Sequence, residues 1–142
     1  MAEFGPALLD TDAWSRLIAG KKDHDPRMQQ WRRLLEGRPI HIAAQTRGEV
    51  LFGAAAARWG VRRTSALKAS LEQAGVIYPS AAVVDAWARL RADCLHLGHA
   101  LHHKEHMGDA WIAATAMAFE MPLLSADRIF AGVPGLELLA EP

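Results

Sequence analysis

Short apolar runs recur along this chain, and most are followed by a segment with helical spacing. Ala7-Leu8-Leu9, Ile40-His41-Ile42-Ala43-Ala44, Val76-Ile77-Tyr78, Leu123-Leu124 and Leu136-Glu137-Leu138-Leu139 are too short for helices and suit strands. Between them apolar residues return every three or four positions, as in Met28, Trp31, Leu34 and Leu35, or Val83, Trp87, Leu90, Cys94 and Leu97. This alternation predicts a three-layer α/β/α domain. A central, mostly parallel sheet of about five short strands carries helices on its faces. The 142 residues make one domain, 1–142, and 51% of them are hydrophobic, enough for a core.

Local signals place the helix ends. Thr11 or Asp12 caps a helix through Trp14, Leu17 and Ile18, which Gly20 ends. Lys21 to Asp25 is a polar loop, and Asp25-Pro26 starts a helix running to about Glu36. Thr46 and Glu49 match a capping box for a helix reaching about Trp59. The next helix runs from Thr64 to Ala74 and stops at Gly75. Ser80 caps another, which Gly98 breaks. Gly108-Asp109 opens an alanine-rich helix that Pro122 stops.

Charge and cysteine usage exclude some classes. Lys+Arg and Asp+Glu number 16 each, so any nucleic-acid contact is local or made through a metal. The single cysteine, Cys94, allows no internal disulfide, fits a reducing cytoplasm and sits in a helical pattern as a small buried residue. There is no signal-peptide pattern at the N-terminus, and no apolar run approaches the ~20 residues needed to span a membrane.

Four acids fall at comparable places. Asp10 closes the first strand, Glu49 follows the second, Asp109 opens the alanine-rich helix and Asp127 follows the fourth strand. In an open α/β sheet such positions converge on the carboxyl edge. Carboxylates gathered there repel one another unless a cation lies between them, and oxygen ligands suit Mg²⁺ or Mn²⁺. Such a site activates water and neutralises charge on a phosphodiester. Each acid also has a purely structural reading: Glu49 as the capping-box partner of Thr46, and Asp10, Asp12, Asp109 and Asp127 at helix or turn starts.

Leu8-Leu9-Asp10-Thr11-Asp12, Thr46-Arg47-Gly48-Glu49 with Gly53, Gly108 to Ala116, and Pro122 to Phe130 occur in an order that resembles a PIN domain. More narrowly, they resemble VapC-like toxins of bacterial type II toxin–antitoxin pairs. The resemblance spans Leu8 to Leu138. It implies a metal-dependent endoribonuclease in which Asp10, Glu49, Asp109 and Asp127 hold Mg²⁺ or Mn²⁺. Ser125 supports the site by hydrogen bonding, and Thr11 does so beside Asp10. It further implies an RNA substrate of the tRNA or rRNA class, a cognate antitoxin and a homodimer. Two positions depart from the pattern: Asp12 stands where many relatives have asparagine, and Ile129 where many have another acid. Ile129 motivates a second reading, a catalytically silent PIN-like module acting through a protein or RNA partner.

Other features carry paired readings. His96, His99, His102, His103 and His106 precede Asp109; the i, i+4 pairs among them suit a zinc or nickel ion on a helix face, or form a polar connector. Arg58, Arg62, Arg63 and Lys68 make a solvated surface or grip RNA phosphates. Arg16 and Arg47 are placed to contact substrate or to balance acid charge. The tryptophans fit apolar stripes, and Trp14, one turn past Asp10, is a candidate base-stacking platform.

Overall fold

The computed structural model of the chain describes residues 4–18 and 25–142. Strands β1 (Ala7–Leu9), β2 (Ile40–Ala43), β3 (Gly75–Ile77) and β4 (Leu123–Leu124) form one parallel sheet in the order β3-β2-β1-β4. The run at 136–139 adds a single parallel bridge, Leu138 with Leu123, beyond β4. The Leu123 N–H donates to Glu137 O at 2.9 Å, and the Leu139 N–H donates to Leu123 O at 2.8 Å.

Helices α1 (Thr11–Leu17), α2 (Arg27–Leu35), α3 (Ala44–Ala56), α4 (Val61–Gln73), α5 (Ala81–Leu97) and α6 (Met107–Ala118) cover the sheet. Successive strand residues point to opposite faces, so each strand feeds two cores. Leu8, Ala43 and Leu123 pack with Val83, Leu90, Ile112 and Phe130 on the α5–α6 side. Ala7, Leu9, Ile42 and Leu124 pack with Trp14, Trp31 and Leu71 on the other. Both faces of β1 are fully buried, which is why its sequence is uninterrupted apolar rather than alternating. Each buried leucine contributes roughly 1.5–3 kcal/mol of transfer free energy.

On α6, Ala110, Ala113, Ala114 and Ala116 are buried; their small side chains let the helix axis approach the sheet. Its other contact is aromatic. Trp111 stacks on Trp87 of α5 with centroids 4.6 Å apart and planes 8° from parallel. Such a pair adds about 0.5–1.5 kcal/mol beyond its area. Cys94 is fully buried in α5, as its apolar setting predicts.

Several predicted boundaries move. Of the capping candidates for α1, Asp10 is the N-cap and Thr11 and Asp12 are not, because Asp10 has the extended conformation and its side chain accepts the Ala13 N–H. Helix α3 starts at Ala44, directly after β2 and without a side-chain cap, so Thr46 and Glu49 lie inside the helix and form no capping box. It ends at Ala56, and Arg58 turns through the left-handed region at φ 58° before α4 begins at Val61. Gly75 is not a helix stop but the first residue of β3. The ring of His41 occupies the space a side chain at Gly75 would need, 2.2 Å from the ideal Cβ position. Ser80 and Gly98 cap α5 as expected. Gly20 and the loop from Lys21 to His24 lie outside the described residues.

Candidate active site

The register of the sheet brings the first two site residues together. Leu9 pairs with Leu124, so Asp10 and Ser125 emerge side by side at the carboxyl edge. Asp10 is only 6% exposed. Its Oδ1 accepts the Ala13 N–H at 2.9 Å, and its Oδ2 accepts the Ser125 hydroxyl at 2.5 Å. Burial pushes this carboxyl up to about 6; the two hydrogen bonds hold it down against that, while the charges of Asp12 and Asp127 push it further up. Ser125 Oγ also accepts the Asp127 N–H at 2.9 Å. Asp127 then caps the 3₁₀ turn Arg128–Phe130 by accepting the Ile129 N–H at 3.0 Å. Capping engages one of its oxygens and leaves the carboxylate exposed.

Glu49 sits in the second turn of α3. Its Oε1 accepts from Gln45 Nε2 at 3.2 Å, and its Oε2 accepts from the Thr11 hydroxyl. Thr11 is itself 3.1 Å from the fully buried Thr46 hydroxyl. Thr11, next to Asp10 in the chain, therefore hydrogen-bonds Glu49, while Asp10 takes its donors from Ala13 and Ser125. Asp109, in the first turn of α6, lies 3.3 Å from His106 Nδ1. Burial raises its carboxyl, the His106 contact opposes this, and Asp127 and Glu49 add repulsion. Asp127 thus acts on both Asp10 and Asp109, and Glu49 acts on Asp109. Asp127 is the acid that links the Asp10 side of the edge to the Asp109 and Glu49 side.

Gln45 is a site residue that the sequence reading did not single out, while Thr46, His106 and Gly108, read there as a helix cap, part of the histidine run and a helix start, also border the site. Their signals were spacing: Gln45 is four residues from Glu49, His106 three from Asp109. Gly108 is the tight point between α3 and α6. A Cβ there would lie 2.8 Å from Gln45 Nε2 and 3.0 Å from Glu49 Oε1.

Other predicted positions lie elsewhere. Arg16 pairs with Asp12 at 2.9 Å and approaches Asp25 at 3.9 Å, so Arg16 is engaged by surface acids on its own side of the fold. Arg47 is half-buried on α3. Trp14 is completely buried with its indole N–H unpaired, and offers no face for a base. The side chain of Ile129 packs against the α5–α6 core. Arg58, Arg62, Arg63 and Lys68 are exposed, with the Arg63 guanidinium 3.6 Å from the Trp59 ring centroid.

The histidine run does not form the helix face that i, i+4 ligation requires. It folds as two 3₁₀ turns, Ala100–His102 and Lys104–His106, with His103 extended between them. His99 Nε2 bonds Ala131 O at 2.7 Å, and its Nδ1 accepts the Leu101 N–H at 3.1 Å. Among the described residues, no three His, Cys, Asp or Glu side chains converge on one ion-sized point. The four acids offer oxygen donors only, the chemistry of a hard cation, and Mg²⁺ keeps most of its water shell while taking one or two carboxylates.

The PIN domain family model matches residues 7–136, and the chain belongs to that family. The fold is similar to that of VapBC2 from Rickettsia felis, solved bound to a DNA fragment from its promoter. The TM-score is 0.72 at 21% identity, over 93% of this chain and 96% of that one. It is similar to a toxin–antitoxin complex from Klebsiella pneumoniae, with TM-score 0.65 and 24% identity over 96% and 99% of the two chains. It is also similar to FitAcB from Neisseria gonorrhoeae, with TM-score 0.70 and 20% identity over 93% and 95%. No curated protein sequence matches it. No described helix is long and apolar enough to cross a membrane.

Proposed function

We propose that the chain is a Mg²⁺- or Mn²⁺-dependent endoribonuclease, the toxin half of a type II toxin–antitoxin pair. The observation that carries this reading is the gathering of Asp10, Glu49, Asp109 and Asp127 at the carboxyl edge, with Asp10 buried there. Burial raises both Asp10 and Asp109, and neighbouring acids add smaller repulsions, Asp12 and Asp127 on Asp10, Asp127 and Glu49 on Asp109. Oxygen-only donors brought to one edge suit a hard cation. The bound cation would activate water and neutralise charge on the scissile phosphodiester.

The chain's own groups have distinct roles. Asp10, held by Ser125 and the α1 N-terminus, and Asp109, at the α6 N-terminus, present the more buried carboxylates. Glu49 is aimed by Thr11 and Gln45. Asp127 is set at the rim by Ser125 and its turn. The expected products carry a 5′-phosphate and a 3′-hydroxyl. The likeness in fold to toxin–antitoxin complexes supports a cognate antitoxin; a structured RNA of the tRNA or rRNA class, homodimerisation and a cytoplasmic setting are part of the proposal on the strength of the sequence resemblance. A silent binding module is the less favoured reading, since Ile129, its motive, packs into the core and all four acids remain at the edge.

Calorimetric titration with Mn²⁺, paired with RNA 5′-end mapping after induction, tests the proposal. Wild type should bind Mn²⁺ and cut at defined positions, and Asp10→Asn should lose both. An Asp10→Asn or Asp109→Asn protein that still cleaves at the wild-type rate with Mg²⁺ rules out the site assignment.

A further inference from the structure

A cleft of about 530 Å³ opens beside the acids, between α3, α6 and the turn that follows β3. Phe52 and Trp111 form apolar walls, Ile77 and Pro79 close the far side, and Gln45 and Glu49 line the polar part. Glu49 belongs to both places, so the cleft is continuous with the acidic site.

The walls are unequal in mobility. Trp111 is fixed by its stack on Trp87, and the Arg91 guanidinium lies 5.0 Å from the Trp87 ring centroid. Arg91 is anchored in turn by its bond to His102 O at 2.9 Å. An aromatic held in this way contacts a ligand with little further loss of side-chain freedom. Phe52 stands at the mouth with 73% of its surface exposed. Its exposed ring lines the same cleft as Trp111, so the two aromatics offer one apolar surface to a ligand.

The chemistry of the lining selects the occupant. None of the lining residues is Lys or Arg, and the Glu49 carboxylate is present. A phosphate is therefore repelled, and an uncharged, flat group with polar edges is favoured. Gln45 gives one N–H to Glu49, which leaves its second N–H as a donor and its carbonyl oxygen as an acceptor. Proteins that bind unpaired RNA stack bases on aromatic rings and read their edges with such groups.

We propose that this cleft receives one unpaired nucleobase of the strand whose phosphodiester lies at the acids, with Phe52 and Trp111 as the stacking surface. The inference rests on the nuclease reading, and it makes Phe52 a determinant of which RNA position is cut.

The test is an abasic scan. Short single-stranded oligoribonucleotides, each lacking one base, are titrated against Asp10→Asn protein with and without Phe52→Ala. Asparagine keeps the α1 cap, and Phe52 is exposed, so both variants should fold. Loss of one particular base should weaken binding roughly ten-fold in the Phe52 background and have little effect with Phe52→Ala. In otherwise wild-type protein, Phe52→Ala should relax the base preference beside the cut while leaving Mn²⁺ affinity unchanged. A flat scan, or the same profile with and without Phe52, overturns the inference. So does an unchanged RNA profile accompanied by loss of self-association, which assigns the cleft to a second copy of the chain. A positive scan in a protein that cuts no RNA keeps the base site and removes the nuclease reading, so the two failures are distinct.

Discussion

Ser125 Oγ lies 2.5 Å from Asp10 Oδ2, joining residues 115 positions apart in the chain. The same oxygen accepts the Asp127 N–H, so one hydroxyl positions two of the four acids. Ser125→Ala would leave a buried carboxylate oxygen without its donor, at a cost of about 1–3 kcal/mol. Without that bond the Asp10 carboxyl should rise further, and the pH–rate profile for RNA cleavage should shift toward higher pH. Ser125→Thr should restore both. An unshifted profile in Ser125→Ala would remove the serine from the site.

Asp10 has two jobs that different substitutions separate. Asparagine retains an oxygen for the Ala13 N–H and caps helices as well as aspartate does, whereas alanine forfeits the cap at about 1 kcal/mol. Asp10→Asn should therefore match or exceed the wild type in thermal stability at neutral pH while losing cleavage by at least ~100-fold. Asp10→Ala should be both inactive and less stable. Equal melting temperatures for the two variants would count against the capping role.

The raised carboxyl of Asp10 makes metal-free stability depend on pH. The folded state keeps a proton up to about 6 that the unfolded chain releases near 3.8. Its contribution is fully present below the unfolded value and is lost as pH rises through about 6. The loss amounts to ~3 kcal/mol by the linkage relation, and Asp109, raised in the same direction, adds to it. Denaturant unfolding with a chelator should show this contribution falling between about pH 4 and pH 6.5 in wild type and absent in Asp10→Asn. Saturating Mn²⁺ should restore it, since a ligand that binds only the folded state stabilises it. Metal-free stability that climbs across this window would contradict the charge arrangement.

Gly108 tests the contact between α3 and α6. Alanine there pushes against Gln45 Nε2 and Glu49 Oε1, the ends of flexible side chains rather than backbone. Gly108→Ala should accordingly fold with little change in stability, because the helical backbone gains from losing a glycine. Cleavage should drop roughly ten-fold or more, because the Glu49 carboxylate is moved by a few tenths of an ångström or turned away. Full activity would mean that the position of Glu49 is not critical.

What was legible in the sequence followed from local chemistry. Apolar runs too short for helices, separated by helical spacing, specify a parallel sheet between helices, and Leu8 and Leu9 do face opposite cores. The placement of Asp10, Glu49, Asp109 and Asp127 after strands or at helix starts followed from the same pattern. Helix starts were less legible. Thr46 and Glu49 satisfy the spacing of a capping box, yet α3 begins earlier because β2 passes into it without a loop. The histidine spacing suits a helix, but the backbone breaks at His103.

The sequence by itself therefore determined the layers of the fold and the candidate acids, since both depend on residue type and on separations within one element. Only the tertiary structure decided which groups serve which acid. Ser125 reaches Asp10 through the pairing of β1 with β4, Thr11 reaches Glu49 through the packing of α1 on α3, and Trp14 turns into the core. Such partnerships depend on strand register and helix packing, which a displacement of one residue reverses, and no local pattern encodes that displacement.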